Sequence, residues 1–222
     1  QTSYSYFRVE EYKPANFSVK PKFSEDTKFS GDTIKLDISA AYQNGIPMAE
    51  APGKVKWVLN STNFYSGNYK GYDFNWGSAR KKEELGEKDF TLDEKGHILL
   101  EKKVILPFES PGYLTTYTTV QDRDRKSISS QASKMIYDRR EYLGVKFSQY
   151  SIYAEEEFKV GIVNVNTEGD TVPAGKFSAV IEKIEQIPEK KFKNEVYYYT
   201  FKEDFKEYRT EKFDLNTGLD EK

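Results

Sequence analysis

Two stretches between Thr33 and Leu59 carry large apolar residues at every second position. Ile34, Leu36 and Ile38 alternate with polar neighbours, and after the Asn44-Gly45 dipeptide Val55, Trp57 and Leu59 do the same. A period of two places one run's apolar side chains on one face of an extended strand, which a helix of period 3.6 cannot do. Asn-Gly offers the positive φ angles of a tight turn between such strands. The same alternation of strand and turn continues along the chain. Asp93-Glu94-Lys95-Gly96 joins "KDFTL" to "HILLEKKVIL", Pro111-Gly112 precedes "YLTTYTTV", and Arg123–Lys126 leads into "SISSQASKMIY". An aromatic fraction of 15%, with 17 Tyr and 15 Phe, supplies bulky side chains that favour sheet over helix. Helical periodicity is almost absent. The expected fold is all-β, built of immunoglobulin-like antiparallel β-sandwiches.

The chain also repeats itself. "FSVKPKFSEDTKFSGDTIKLDIS" from Phe17 lies over "YLGVKFSQYSIYAEEEFKVGIVN" from Tyr142 with a shift of one. Val19 then falls on Leu143, Phe23 on Phe147, Phe29 on Tyr153, and Ile34, Leu36 and Ile38 on Phe158, Val160 and Ile162. "GIPMAEAPGKVKWVL" has its counterpart in "DTVPAGKFSAVIEKI". The approach to each copy recurs as well, "FRVEEYKPANFSVKP" matching the layout of "SKMIYDRREYLGVKF". Tandem domains explain this. Lys13-Pro14 ends one strand, since proline has no N–H for a ladder, and a new apolar alternation begins at Phe17. The reading is therefore residues 1–12 as the last strand of a preceding domain or a linker, 13–138 as one sandwich, and 139–222 as a second. That second sandwich is expected to be incomplete, because nothing after Asn194 matches the closing "PGYLTTYTTVQD" hairpin. Gln1 reads as a cut end, and any signal peptide is expected to be absent or already removed.

Several chemistries find no support. A net charge of -2 gives no basic footprint for nucleic acid. No run approaches the roughly 18 apolar residues of a membrane span. With no cysteine there is no thiol nucleophile, disulfide or cysteine-bound zinc. His97 is the single histidine, so a Ser-His-Asp arrangement could be built only around it. Following Gly96 at the start of a strand, it reads as a solvated or half-packed turn residue. One histidine and no cysteine also argue against a transition-metal site. Asp122 and Asp124 alternate with Arg123 and Arg125, so local ion pairing competes with any calcium role, and no Asp-x-Asp-x-Asp-Gly loop is present. Glu155-Glu156-Glu157 reads as a charged guard at a strand edge. No nucleotide or hydrolase fingerprint occurs. The chain is expected not to be an enzyme and to need no cofactor or metal.

The segment "NSTNFYSGNYKGYDFNWGSA", Asn60 to Ala79, stands apart. Phe64, Tyr65, Tyr69, Tyr72, Phe74 and Trp76 are separated by glycines and asparagines, too many turn formers for a core strand. Two readings fit. The rings form a contact surface, for which Tyr and Trp give large area with few rotors, or they pack against the sandwich or a neighbouring domain. Asn60-Ser61-Thr62 matches a glycosylation sequon, a motif common by chance. The polar run Arg80–Asp89 is expected to be a solvated turn or short helix, and "IEQIPEKKFKNE" an exposed, proline-broken connection.

The "F-x-V-x-E-Y-K-P-x-x-F-x-V" junction resembles the boundary between macroglobulin-like domains of the bacterial alpha-2-macroglobulin family. "SGDTIKLDISAAYQNGIPMAEAPGKVKWVL", the aromatic insert and "PGYLTTYTTVQDRDRKSISSQAS" are similar to that family in the same order, over about residues 7 to 165. The resemblance implies macroglobulin-like sandwiches acting as scaffold domains of a protease inhibitor that encloses a protease once its bait segment is cut. It implies neighbouring domains of the same longer chain as partners, and proteases as partners of the intact protein. The implied location is extracytoplasmic, in the periplasm or on a membrane through an anchor outside this sequence. Many members carry a Cys-x-Glu-Gln thioester. This sequence has no cysteine and no recognisable bait, so by resemblance it is framework. The alternative is a tandem immunoglobulin-like adhesion or carbohydrate-binding module using the 60–79 aromatics.

Overall fold

The computed structural model describes residues 16–25, 28–75, 80–149, 157–193 and 196–221. The strand expected at Ser3–Glu11, the Lys13-Pro14 junction, Trp76 and Glu155-Glu156 lie outside them. The residues group into two compact units: Gln1–Asn63 with Ser78–Arg139, and Phe64–Gly77 with Arg140–Lys222. The sequence divides at 138/139 by the repeat. The contacts divide at 139/140 and assign Phe64–Gly77, which the sequence reading kept in the first domain, to the second unit.

The first unit contains β1 (Phe17–Phe23), β2 (Thr33–Tyr42), β3 (Pro52–Ser61), β4 (Lys82–Thr91), β5 (His97–Lys103), β6 (Gly112–Gln121) and β7 (Ser127–Ile136). They form two antiparallel sheets, ordered β1-β2-β5 and β4-β3-β6-β7. Ile34, Leu36 and Ile38 of β2 are fully buried, and so are Val55 and Leu59 of β3, Leu114 and Val120 of β6, and Ile136 of β7. These side chains from both sheets belong to one core, which makes the unit a sandwich. The second unit contains β8 (Glu141–Phe147), β9 (Val160–Asn166), β10 (Gly175–Lys193), β11 (Val196–Leu215) and β12 (Leu219–Glu221), in sheets β12-β9-β8 and β10-β11. Val160 and Ile162 of β9 share its core with Phe213 and Leu215 of β11.

The repeat is written in the hydrogen bonds. Phe17 pairs with Tyr42 and Phe23 with Leu36; in the second unit Glu141 pairs with Asn166 and Phe147 with Val160. After β2, the Tyr42 N–H donates to Ile46 O at 2.8 Å and the Met48 N–H to Ala40 O at 3.0 Å. After β9, the Asn166 N–H donates to Asp170 O and the Val172 N–H to Asn164 O, both at 2.9 Å. β3 bulges against β4 between Trp57 and Val58, and β10 bulges against β11 between Ile181 and Glu182. Gly96 and Gly218 close the same corner, their carbonyls accepting the Ala40 and Asn164 N–H groups at 2.9 and 2.8 Å. β12 therefore stands to β9 as β5 stands to β2. Among the described residues the second unit has no counterpart of β6 and β7.

Two expectations are corrected. Arg80–Asp89 is not a turn or helix but mostly strand β4. Lys56 reaches Glu84 at 2.9 Å, and Lys54 reaches Glu87 at 3.6 Å and Asp89 at 3.7 Å, all across β3–β4. Both faces of the strand are largely exposed, with only Phe90 buried, so the apolar alternation that would have marked it is missing, and charge is what an edge strand carries. The Lys56–Glu84 hydrogen bond raises the lysine pKa and lowers that of the glutamate. Likewise "IEQIPEKKFK" lies inside β10, with Pro188 opposite Phe201. Among the described residues β10 pairs with β11 alone, so a proline costs no ladder bond on its open side.

The corner glycines are a sharp test. Gly45 has φ +84° and open space within 4 Å of the place a Cβ would take, whereas at Gly96 (φ +70°) a Cβ would stand 2.6 Å from Ala40 O and 2.9 Å from Met48 N. Gly45→Ala should cost only the left-handed strain, about 1 kcal/mol. Gly96→Ala adds a backbone clash and should cost about 3 kcal/mol. Chemical denaturation of both variants measures the difference; equal losses would show that the corner gives way.

Candidate contact surface

The inserted segment leaves β3 and, from Phe64, joins the second unit. Its ends are tied by one asparagine. The Phe64 N–H donates to Asn75 Oδ1 at 2.8 Å, and Asn75 Nδ2 donates back to Phe64 O at 3.0 Å. The Asn75 N–H in turn donates to Asp73 Oδ1 at 2.8 Å. This closure presents the middle of the segment to β8. Asp73 and Val145 exchange backbone hydrogen bonds at 2.8 and 2.9 Å, a short antiparallel bridge.

The rings follow from that bridge. Phe64 stacks on Tyr142 of β8, centroids 3.9 Å apart and planes at 2°, and meets Phe74 edge-on at 5.2 Å. Phe74 lies over Gly144, where any Cβ would come within 2.5 Å of the ring. Glycine at 144 is thus the recess that admits the ring. Tyr69 and Tyr72 meet edge-to-face at 5.8 Å, and Lys146 Nζ stands 5.7 Å from the Tyr72 centroid, a cation–π contact. Further along, Asn68 Nδ2 donates to Gly169 O at 3.2 Å. Of the six aromatic candidates, Phe64 and Phe74 are buried, Tyr69 and Tyr72 are half-buried, and Tyr65 is 68% exposed. Trp76 lies outside the described residues.

The receiving side is what the sequence reading missed. Tyr142 pairs with Val165 and Gly144 with Val163, so these four share one face of the β8–β9 sheet. Val163 and Val165 are fully buried, while Val160 and Ile162 face the core on the other side. At the matching places of the first unit stand Ser18, Lys20, Ser39 and Ala41, none of them buried. The signal was present in the chain: "VGIVNV" is apolar at both parities, the mark of a strand covered on two faces.

The chemical candidates take structural places. His97 Nε2 lies 2.7 Å from Asp37 Oδ1 across the β2–β5 pair, with both side chains substantially exposed. Asp122 is buried in the β6–β7 turn, where its Oδ1 accepts the Lys126 N–H at 2.8 Å. Its carboxylate thus holds a backbone turn, rather than the flanking arginines expected from the sequence. Among the described residues no group of three or more His, Cys, Asp or Glu is placed to hold a metal.

No protein-family model matches this chain, and no curated protein does. Solved structures do. The native conformation of Escherichia coli alpha-2-macroglobulin matches over 97% of this chain and 15% of its own, at 16% identity and a TM-score of 0.64. Salmonella alpha-2-macroglobulin reacted with methylamine matches over 96% and 15%, at 14% identity and a TM-score of 0.64. The trypsin-activated E. coli protein matches over 95% and 16%, with a TM-score of 0.56. The fold is one found in bacterial alpha-2-macroglobulins. At these identities the likeness is one of fold: all-β, macroglobulin-like sandwiches, in a chain spanning about 15% of the length of those proteins.

If Phe64 is packing and Tyr65 is surface, their truncations should separate. Phe64→Ala should destabilise the second unit by about 3 kcal/mol, while Tyr65→Ser should fall within about 0.5 kcal/mol. Hydrogen exchange at β8 and β9 reads the effect locally; unchanged protection there in the Phe64 variant would contradict the stacking.

Proposed function

We propose that the two units are framework domains of a bacterial alpha-2-macroglobulin-type protease inhibitor, one that encloses a protease after bait cleavage. The observation that carries the reading is the continuity of the structural likeness: a single alignment runs through both repeats and leaves only 3–5% of the chain unmatched. The role is mechanical. The buried alternating side chains make each sandwich rigid enough to move as a body. The sequence has no cysteine, so any thioester belongs elsewhere in the intact protein. In this reading the partners are neighbouring domains of the same chain and, through the whole molecule, proteases. The setting is extracytoplasmic, in the periplasm or at a membrane through a segment outside this sequence, and no catalytic step falls to these residues.

An adhesion or carbohydrate-binding role would need the 60–79 rings open on one plane. Phe64 and Phe74 are committed to β8, which leaves that role, among the described rings, the more exposed tyrosines.

The test is protease capture by the intact protein. Trypsin added in substoichiometric amount should co-elute with it on size exclusion and keep its activity on a small peptide ester, while losing activity on a large protein substrate. His97→Ala should leave all three readouts within about twofold, since the imidazole is only paired with Asp37. Complete digestion without co-elution would rule out the trap, and loss of capture in a folded His97 variant would give that residue a role in the trap itself.

A further inference from the structure

β10 and β11 outgrow their counterparts. β10 has 19 residues against 10 in β3, and β11 has 20 against 10 in β4. At about 3.3 Å per residue the hairpin runs roughly 30 Å further than the first unit's equivalent pair. This added length is two-faced. Ile184 lies opposite Phe205, Pro188 opposite Phe201 and Phe192 opposite Tyr197, with Tyr199 among them, all of one parity. Phe192 is 60% and Phe201 63% exposed, and the Phe192 and Tyr197 rings meet at 4.7 Å. The opposite parity pairs Glu185 with Asp204 and Ile187 with Lys202. There Lys206 Nζ reaches Glu185 Oε2 at 2.7 Å, a hydrogen bond that raises the lysine pKa. A two-stranded ribbon with a bare aromatic face is marginal in water and marks a place where something docks.

The repeat says what docks. After the bulge, the first unit's β3–β4 connection carries Phe64 and Phe74 to β8, the opening strand of the next repeat, and joins that repeat's compact unit. The extension of β10–β11 occupies the same position after the equivalent bulge. We propose that the aromatic face of the β10–β11 hairpin seats on the opening sheet of a third repeat, carried on the same polypeptide beyond Lys222. The receiving strands should carry apolar or glycine residues at the places of Tyr142, Gly144, Val163 and Val165, so that their second strand is apolar at both parities. The inference deepens the framework reading and rests on it for the existence of further repeats.

The experiment uses the intact protein with p-benzoylphenylalanine placed at Tyr199, and separately at Lys202 on the polar face. After irradiation of a mixture of isotope-labelled and unlabelled protein, cross-linked peptides are read by mass spectrometry. The Tyr199 probe should join peptides C-terminal to residue 222, each carrying a single isotope label, with at least tenfold higher yield than the Lys202 probe. Mixed-label products would show a second copy on the hairpin, and products with residues 1–221 would show a fold-back. Either would overturn the proposal, as would equal yields from the two faces or no product from either. Protease capture is measured separately, so a hairpin that cross-links as stated in a protein that traps nothing would sink the inhibitor reading and leave this one standing.

Discussion

Everything in the first unit depends on one strand being apolar on a single side. β2 lies between β1 and β5, and its Ile34, Leu36 and Ile38 have no contact with solvent. Burying side chains of this kind is worth about 1.5–3 kcal/mol each. That term is available only if a second sheet closes over them. Val55, Trp57 and Leu59 of β3 and Leu114 of β6 supply the closure. A slip of one residue would turn all three β2 side chains to water. The Ala40–Met48 and Gly96–Ala40 hydrogen bonds pin that register at the strand's end.

What could be read from the sequence was whatever this one-sided burial writes into it. The alternation at Ile34–Ile38 and Val55–Leu59, the turns at Asn44-Gly45 and Gly96, and the match of Leu36 and Ile38 to Val160 and Ile162 all follow from a core face repeated twice, whereas Phe147, matched to the buried Phe23, is 54% exposed. β4 escapes that pattern because it lies at a sheet edge: only Phe90 is buried, Leu85 is half-buried against the core, and most of the other side chains face Lys54 and Lys56 or water. β10 runs on through Pro188 because the strand has a free edge, where a proline is tolerated as it would not be in a central strand. The aromatic insert defeated the sequence for another reason. Spacing shows that Phe64 and Phe74 are not strand core, but their partner, the β8–β9 face, lies far along the chain and only the fold brings it to them.

That partner face also explains a difference between otherwise equivalent strands. β2 and β9 share register, turn and corner glycine, yet β2 alternates while β9 is buried almost throughout. The inner faces match because each closes its own sandwich. The outer faces diverge because only β9 lies in a unit that contains an inserted segment: Ser39 and Ala41 in one, Val163 and Val165 in the other. The outer face of a repeat's second strand thus records whether something covers it, independently of the fold.

The same logic applies to the segments that do the covering. Between their paired strands the two repeats carry different solutions to one problem, namely how a connection can hold aromatic rings clear of its own sandwich. In the first, glycines and asparagines break the chain into turns, and Asn75 closes them into a compact pad whose rings reach β8. In the second, the strands simply continue, and cross-strand pairing does the work of the asparagine clamp by fixing every ring to one face. A pad takes its shape against its recess, with Phe64 stacked on Tyr142 and Phe74 over Gly144. A hairpin fixes its rings to one face through its own ladder before anything covers them, and Phe192, Tyr199 and Phe201 stand exposed on that face.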